Sequence, residues 1–535
     1  MLRRAWKPAL GATAATLCVG APLYYYYNHN GRRQEPRDTF NISEQVDARL
    51  REHATAQAVA RPGGVVWKST TAHFASNDPI EDAHGNLLVE RNAAPADGPA
   101  PPAGDYLFFA VMDGHAGFST SRTLAKVLIP VVTMELARCV NEPQAGGAVP
   151  YDANPENVAR SIEKAFVDLD SKIVNGPLEI LADNVDDESL KKKLVPDLSQ
   201  HPLAAEAIRT AMSGSCALLA MFDTAHRNLY VAVTGDSRAV AGVFEETADG
   251  KGVWRVEALT EDQTGRNPNE LKRLQSEHPA DEADNVVRNG RILGGLEPSR
   301  AFGDARYKWP REVQETPPYV TARPVVTHRP LAFLPLPADP TAPAPKSALR
   351  FVVLATDGLW DELANEEVVA LVGGHLAGLR GTVPKADLAR LVPTAAGSAG
   401  VDGKSHLRGQ QDARGAWAFE DDNLSTHLIR NALGGGDVEH LRKLASIPAP
   451  YSRRFRDDIT VTVVWWEDGR EAAAQTDQWN AEGHTRAPSV VVHLAFDIDV
   501  AVAAFELLSS INDFTIVGGL RGSGGFEQGG ADQAH

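Results

Sequence analysis

Glu81, Asp82, Asp113, Asp236, Asp357 and Asp457 lie far apart in a 535-residue chain, yet each sits at the end or the entry of an apolar run. Asp113 closes the run Tyr106–Met112 and is followed by Gly114 and His115. Asp236 follows Asn228–Thr234, and Asp357 follows Leu349–Thr356 with Asp361 shortly after it. Asp457 and Asp458 precede Ile459–Trp466, and Glu81-Asp82 precedes the first strands. Any one of these alone is what a turn or a cap carries. Together they suggest two sheets whose tips converge. Carboxylates gathered in one place repel and raise one another's pKa unless cations neutralise them. Oxygen ligands without a Cys or His cluster select hard ions, Mg²⁺ or Mn²⁺ rather than Zn²⁺. Two such ions can share a water, lower its pKa and aim it at a phosphoryl group. His115, beside Asp113 and Gly114, is placed to protonate a departing alkoxide.

The elements that must position these residues are legible in outline. Tyr106–Met112 is long, aromatic and β-rich, and reads as a buried strand. A helical pattern opens at Gly117, continues through Leu124, Val127, Leu128 and Val131, and runs to about Cys139. A second amphipathic helix is expected over Pro155–Ile173. Ser213–Phe222 and Asn228–Thr234 read as paired strands with a short polar turn between them, and Ala239–Phe244 as a third. Leu349–Thr356 and Ile459–Trp466 are further strands, and a helix is expected over Glu366–Val372. Residues 92–104 and 335–347 are Ala- and Pro-rich loops. Residues 182–200 are charged and expected to be exposed. Residues 393–416 carry Gly, Ser and Ala without periodicity, which predicts an irregular insertion. Substrate specificity is expected in the loops of 262–348 and 375–455. Residues 489–508 are apolar enough for an extra strand and helix, with no function attached.

The net charge of −17 argues against nucleic acid as the main partner. Hydrophobic content of 43% with 23% charged residues fits a globular body with a large core. The cysteines, Cys18, Cys139 and Cys216, are too few and too scattered for a disulfide framework or a zinc site. Residues 1–34 contain no acid, and an uncharged run from Pro8 to Tyr27 is about long enough to span a bilayer. Tyr24–Tyr27 sits where an interfacial aromatic belt would lie. Residues 1–40 are therefore expected to be a mitochondrial presequence, a single membrane anchor, or both. The rival is a secretory signal or signal-anchor.

The ordered set Glu81-Asp82, Asp113-Gly-His115, Ser213-Gly-Ser-Cys-Ala, Gly235-Asp-Ser-Arg238, Ser299-Arg-Ala-Phe-Gly-Asp304, Asp357-Gly-Leu-Trp-Asp361 and Arg456-Asp-Asp458 resembles the type-2C metal-dependent Ser/Thr protein phosphatases. The resemblance covers about residues 70–467. It implies an α+β fold, an α-β-β-α sandwich of two antiparallel sheets flanked by helices with inserted loops. It implies a catalytic domain over 41–470, with 471–535 an extension of no assigned role. Two or three Mg²⁺ or Mn²⁺ ions are implied, with Asp113 bridging two of them and the Gly114 carbonyl beside it. Glu81, with Asp82 next to it, would hold the second ion, and Asp357 and Asp457 would complete the first. Asp236 and Asp361, with Asp357, resemble the weaker third-ion site. His115 would be the general acid for direct in-line attack by the bridging water, with no phosphoenzyme. No cysteine carries the Cys-x₅-Arg signature of a nucleophilic phosphatase.

One departure matters. Many family members carry an Arg four residues before the Glu of the Glu-Asp pair to bind substrate phosphate, and here Asn77 stands there. Phosphate affinity must then come from the metals or another cation, and Asn77 and Arg300 are the candidates. The variant resembles the mitochondrial pyruvate dehydrogenase phosphatase branch, as do Arg300–Trp309, Pro317–Ala322 and Arg456–Thr460. That implies a phosphorylated protein substrate, pyruvate dehydrogenase among them. With the reading of residues 1–40, a mitochondrial location is expected, tethered to the inner membrane and facing the matrix or the intermembrane space. Two further readings share these residues: a membrane-associated phosphatase regulating kinase signalling outside mitochondria, and a catalytically dead fold used as a binding module.

Overall fold

Alternate residues of one strand face two different cores, and this sets the architecture. Leu107, Phe109 and Val111 pack with Leu218, Phe222, Val352 and Val464. Phe108, Ala110 and Met112, one position out of step, pack with Leu128, Ile162 and Phe166. Side chains alternate along a strand with period two, so a strand covered on both faces shows an unbroken apolar run.

The structure, a computed structural model, describes residues 39–61, 65–90, 104–141, 151–186, 191–192, 195–246, 252–309, 318–331, 349–398, 400–405, 415–468 and 491–492. Two sheets stack face to face. The strands in chain order are β1 (Thr55–Arg61), β2 (Val65–Phe74), β3 (Ala83–Glu90), β4 (Asp105–Met112), β5 (Ala217–Asp223), β6 (Asn228–Thr234), β7 (Arg238–Glu246), β8 (Gly252–Ala258), β9 (Val325–Pro330), β10 (Leu349–Ala355), β11 (Thr394–Ser398), β12 (Ile459–Asp468) and β13 (Val491–Val492). The seven-stranded sheet runs β1-β2-β12-β10-β7-β8-β11, and the six-stranded sheet runs β9-β6-β5-β4-β3-β13. All neighbours are antiparallel except β8 with β11 and β3 with β13, which pair in parallel.

Helices α1 (Thr39–Arg51), α2 (Ser119–Asn141), α3 (Pro155–Asp183), α4 (Asn365–Leu376) and α5 (Leu424–Ala432) complete the layers. Phe166 and Leu169 of α3 and Leu124 and Leu128 of α2 cover the outer face of the six-stranded sheet. Val46 and Leu50 of α1, Val368 and Leu371 of α4 and Leu428 of α5 cover the other. The result is an α+β sandwich with helices outside both sheets. α3 begins where Asn154 Oδ1 accepts the Glu156 N–H at 3.0 Å, with Pro155 in the first turn. It runs past Ile173 to Asp183, carrying Gly176 and Pro177 inside it.

Two expectations change here. Residues 393–416 contain β11, whose Thr-Ala-Ala-Gly-Ser side chains are largely exposed and show no apolar alternation. Backbone pairing with β8 makes it a strand, and no local pattern announces that. Of residues 489–508, Val491–Val492 forms β13 and the rest lie outside the described residues. The anchor expected at residues 8–27 also lies outside them, as does 1–38 as a whole. Among the described residues no helix is long and apolar enough to cross a membrane.

Candidate active site

Strand register brings the acidic residues together. Ala355 at the end of β10 pairs with Val461 of β12 on one side and with Arg238 of β7 on the other. Asp357, just beyond β10, therefore lies next to Asp457, just before β12, and next to Asp236, just before β7. Asp113, at the tip of β4 in the other sheet, approaches from across the sandwich: its carbonyl accepts the Cys216 N–H at 2.8 Å, and its Oδ2 accepts the Asp357 N–H at 3.4 Å. Asp113, Asp236 and Asp357 each offer a carboxylate oxygen within 4.8 Å of the others, and so do Asp357, Asp361 and Asp457.

Glu81 joins through its backbone. A Cβ on Gly114 would stand 2.1 Å from the Glu81 carbonyl oxygen, so glycine alone lets the two chains pass. Glu81 Oε1 accepts the Gly117 N–H at 2.7 Å. Asp82 is buried, and its Oδ2 accepts from Thr356 Oγ1 and Thr460 Oγ1 at 2.9 and 2.8 Å.

The electrostatics ask for cations. Burial pushes the Asp113 carboxyl well above the usual carboxylate range, and the charges of Asp357, Asp82, Asp457 and Asp236 push the same way. Burial and the Asp357 charge lift Asp361 to about 8 and Asp457 to about 7. Burial also lifts Asp236, to about 6. Asp361 Oδ1 is buried with no hydrogen-bond partner. An all-oxygen donor set with an unsatisfied carboxylate oxygen fits hard divalent ions. The Cys216 thiol donates to Asp236 Oδ1 at 3.2 Å, and burial, with Asp236 and Asp113, pushes its pKa well up, so it stays a thiol.

His115 is aligned by a small sheet of its own. Gly114–His115 pairs with Gly214–Ser215, which pairs with Phe302–Gly303. Asp304 follows directly, and its Oδ2 lies 2.6 Å from His115 Nε2. A Cβ on Gly214 would meet His115 Nε2 at 2.0 Å and Asp304 Oδ2 at 2.4 Å, so the pair closes only over a glycine. Burial pushes the imidazole down, but the Asp304 carboxylate outweighs it and the net shift is upward. The ring is thus held as a proton carrier beside the acidic cluster.

Residues 171–380 match the family Protein phosphatase 2C. A protein phosphatase 2C homolog of Schizosaccharomyces pombe is 34% identical over 476 residues, covering 84% of this chain and 90% of that protein. The chain belongs to the protein phosphatase 2C family. The phosphatase is also similar to mitochondrial pyruvate dehydrogenase (acetyl-transferring) phosphatase 1 of Saccharomyces cerevisiae, at 34% identity over 79% of this chain and 73% of the yeast protein. The Pongo abelii protein of the same name is 36% identical over 87% of this chain and 90% of its own length. The chain is accordingly a protein serine/threonine phosphatase of a family that uses divalent metals.

Sequence reasoning missed two cations in this phosphatase. Lys404 Nζ lies 2.7 Å from Asp357 Oδ2, and although burial pushes Asp357 up, that ammonium holds its carboxyl below the usual range. Arg453 pairs through Nη1 with Asp457 Oδ2 while its side chain stays 50% exposed. Both lie in stretches without periodic pattern, so no local signal marks them.

The two residues read as phosphate ligands are engaged elsewhere. Asn77 donates from its backbone N–H and from Nδ2 to Asp458, each at 2.9 Å. Asp458 also accepts from the N–H groups of Ser76 and Glu81, so it ties down the 76–81 loop. Arg300 is buried, donating to Glu270 from Nε at 3.0 Å and Nη2 at 2.6 Å, and to the Arg323 carbonyl from Nη1. That geometry is a structural ion pair. Burial would raise Glu270, but Arg300 and Arg273 outweigh it and hold the carboxyl at about 2. A depressed folded pKa contributes stability above the unfolded value near 4.5, lost as pH falls toward 2. Glu270→Gln is therefore expected to cost roughly 3 kcal/mol at pH 7. The deficit against wild type should narrow in urea melts as pH drops from about 5 toward 3. A deficit independent of pH would assign the loss to packing instead.

Proposed function

We propose that this phosphatase hydrolyses phosphoserine and phosphothreonine in mitochondrial phosphoproteins, with phosphorylated pyruvate dehydrogenase as its substrate. The catalytic part rests on one observation: carboxylates from four distant segments meet beside a His–Asp pair. The substrate and location rest on the names of the relatives and on the basic, acid-free residues 1–34.

Asp113, Asp357 and Asp457 would hold one divalent ion, and Asp113, Glu81 and the Gly114 carbonyl a second. When bound, such ions supply the Lewis acidity that activates a water and neutralises phosphoryl oxygens. The chain's own groups do the rest. His115 holds the proton that the leaving serine or threonine oxygen takes up, and Asp304 keeps the ring charged and oriented. The Cys216 thiol, held protonated by burial, offers no nucleophile, in keeping with the attack by water that the family resemblance implies. Arg453 pairs with Asp457 but, unlike the buried Arg300, stays half exposed beside the cluster, and it is the group we assign to substrate phosphate.

The test compares phosphate release from phosphorylated pyruvate dehydrogenase with release from unrelated phosphoproteins, with Mg²⁺ or Mn²⁺ present or chelated. Expected are strict metal dependence and a clear preference for pyruvate dehydrogenase, with Arg453→Ala raising KM about tenfold, the weight of one charge-assisted hydrogen bond. Equal rates on all substrates would overturn the assigned target. Binding without any release would favour the dead binding module.

A further inference from the structure

Lys404 places a primary amine inside the acidic cluster. Its Nζ lies 2.7 Å from Asp357 Oδ2, 3.4 Å from Asp236 Oδ2, 3.5 Å from Glu297 Oε1 and 3.8 Å from Asp361 Oδ1. The side chain is 2% exposed. Asp236, Asp357 and Asp361 are the carboxylates that would otherwise frame a third divalent ion. An ammonium carries three donors and no acceptor, and here it donates to Asp357 Oδ2 and stands within ion-pair reach of Asp236 and Asp361, without hydrogen-bonding Asp361 Oδ1. Like charges a few ångströms apart in a poorly hydrated site repel strongly, so amine and ion exclude one another.

The lysine arrives on a built turn. Arg238, buried at the start of β7, donates to Asp262 from Nε at 2.9 Å and Nη2 at 2.7 Å, and to Asn365 Oδ1 from Nη1 at 2.7 Å. Its Nη2 also reaches Asp402 Oδ1 at 2.7 Å, and the same Asp402 oxygen accepts the Lys404 N–H at 3.0 Å. The Gly403 N–H donates to Asp262 Oδ2 at 2.8 Å. Backbone and side chains of 402–404 are thus fixed to one buried guanidinium, which itself lies 4.9 Å over the Trp360 ring. Fixing a long flexible side chain costs conformational entropy, and this network offsets it by pre-setting where the amine points.

We infer that Lys404 is a built-in monovalent cation at the third position of the cluster, so that this phosphatase holds two divalent ions and admits a third only when the amine is removed. The inference rests on the metal-dependent reading given above.

Mn²⁺ bound per full-length chain, counted at saturation from the electron paramagnetic resonance signal of the free ion, tests it without reference to turnover. Wild type and Lys404→Arg are expected to bind two ions, and Lys404→Met, of similar length without the charge, three. Three ions in wild type would overturn the inference, as would two in a Lys404→Met protein with native circular dichroism. If Lys404→Met does not fold, Lys404→Gln takes its place, and the wild-type count stands as a test by itself. A wild type that binds no Mn²⁺ would remove the metal reading of the whole cluster, a failure distinct from a wrong count.

Discussion

Replacing Asp113 with asparagine is expected to lower phosphate release on the order of 10³-fold while making the metal-free protein more heat-stable. The two effects have one cause. Asp113 sits where the charges of Asp357, Asp82, Asp457 and Asp236 all act on it, buried and with its pKa driven well up. In the metal-free protein that arrangement is a cost, because the folded state crowds like charges that the unfolded chain keeps apart. An amide of nearly the same shape relieves it, by about 1 kcal/mol if it behaves like other stabilising substitutions at strained sites. For a chain of this size that is about 1 °C in melting temperature. With ions bound the balance reverses. On the proposed reading Asp113 would be a ligand to both cations, and the charge stabilisation they would supply amounts to several kcal/mol, a factor of ten for each 1.36 kcal/mol lost. Wild type should gain more than the variant in thermal stability when Mn²⁺ is added, since only ligands that bind the folded state stabilise it. Phosphate release and paired melts with and without Mn²⁺ read both effects. A variant that keeps full turnover would take Asp113 out of the ion-bridging role.

The fold was readable where burial writes a pattern and unreadable where pairing alone decides. Tyr106–Met112 shows as a strand because both its faces are covered, and its unbroken apolar run fits no exposed sheet. Leu349–Ala355 and Ile459–Trp466 are legible for the same reason. β11 is not, because an edge strand of small, exposed residues pays no hydrophobic tribute to its neighbour. α3 runs further than its apolar stripe suggests, since the packing of Val174 with Ala211 and Ala305 outweighs the poor helix propensity of Gly176 and Pro177.

The site divides along a similar line. Carboxylates at strand ends stand out in the sequence, because a polar residue that ends an apolar run must face the rim of a core. That Asp357 lies beside both Asp236 and Asp457 follows from register, which only the paired strands of the folded sheet supply. The motifs Ser213-Gly-Ser-Cys-Ala and Ser299-Arg-Ala-Phe-Gly-Asp304 were visible as residues, but their task was not. Folded, they form the two short strands that set Asp304 against His115. Lys404 was invisible for a physical reason: a single lysine in a Gly- and Ser-rich stretch carries a cation to any surface unless something buried anchors its turn. The anchor, Arg238, lies far away in the chain.

His115→Gln is expected to separate substrates by their leaving groups. Proton delivery matters when the departing oxygen is a strong base, as the serine or threonine alkoxide is, and matters little for a stabilised aryl oxide. Turnover of a phosphoserine peptide should therefore fall ~10²–10³-fold, and turnover of 4-nitrophenyl phosphate far less. On the proposed reading the geometry sets which proton is at stake. His115 Nε2 is engaged with Asp304 Oδ2 at 2.6 Å, so the deliverable proton would be the one on Nδ1, and Asp304 would act by holding the ring charged. Asp304→Asn keeps a hydrogen-bonding group there but removes the charge. It should reproduce the same leaving-group dependence at smaller amplitude, with KM for the peptide unchanged because neither residue is asked to bind the ground-state phosphate. Steady-state kinetics on the two substrates decide the matter. Equal losses on peptide and aryl ester would mean that His115 serves the attack or the ions rather than the leaving oxygen, and an intact Asp304→Asn enzyme would mean that the ring needs no partner to hold its proton.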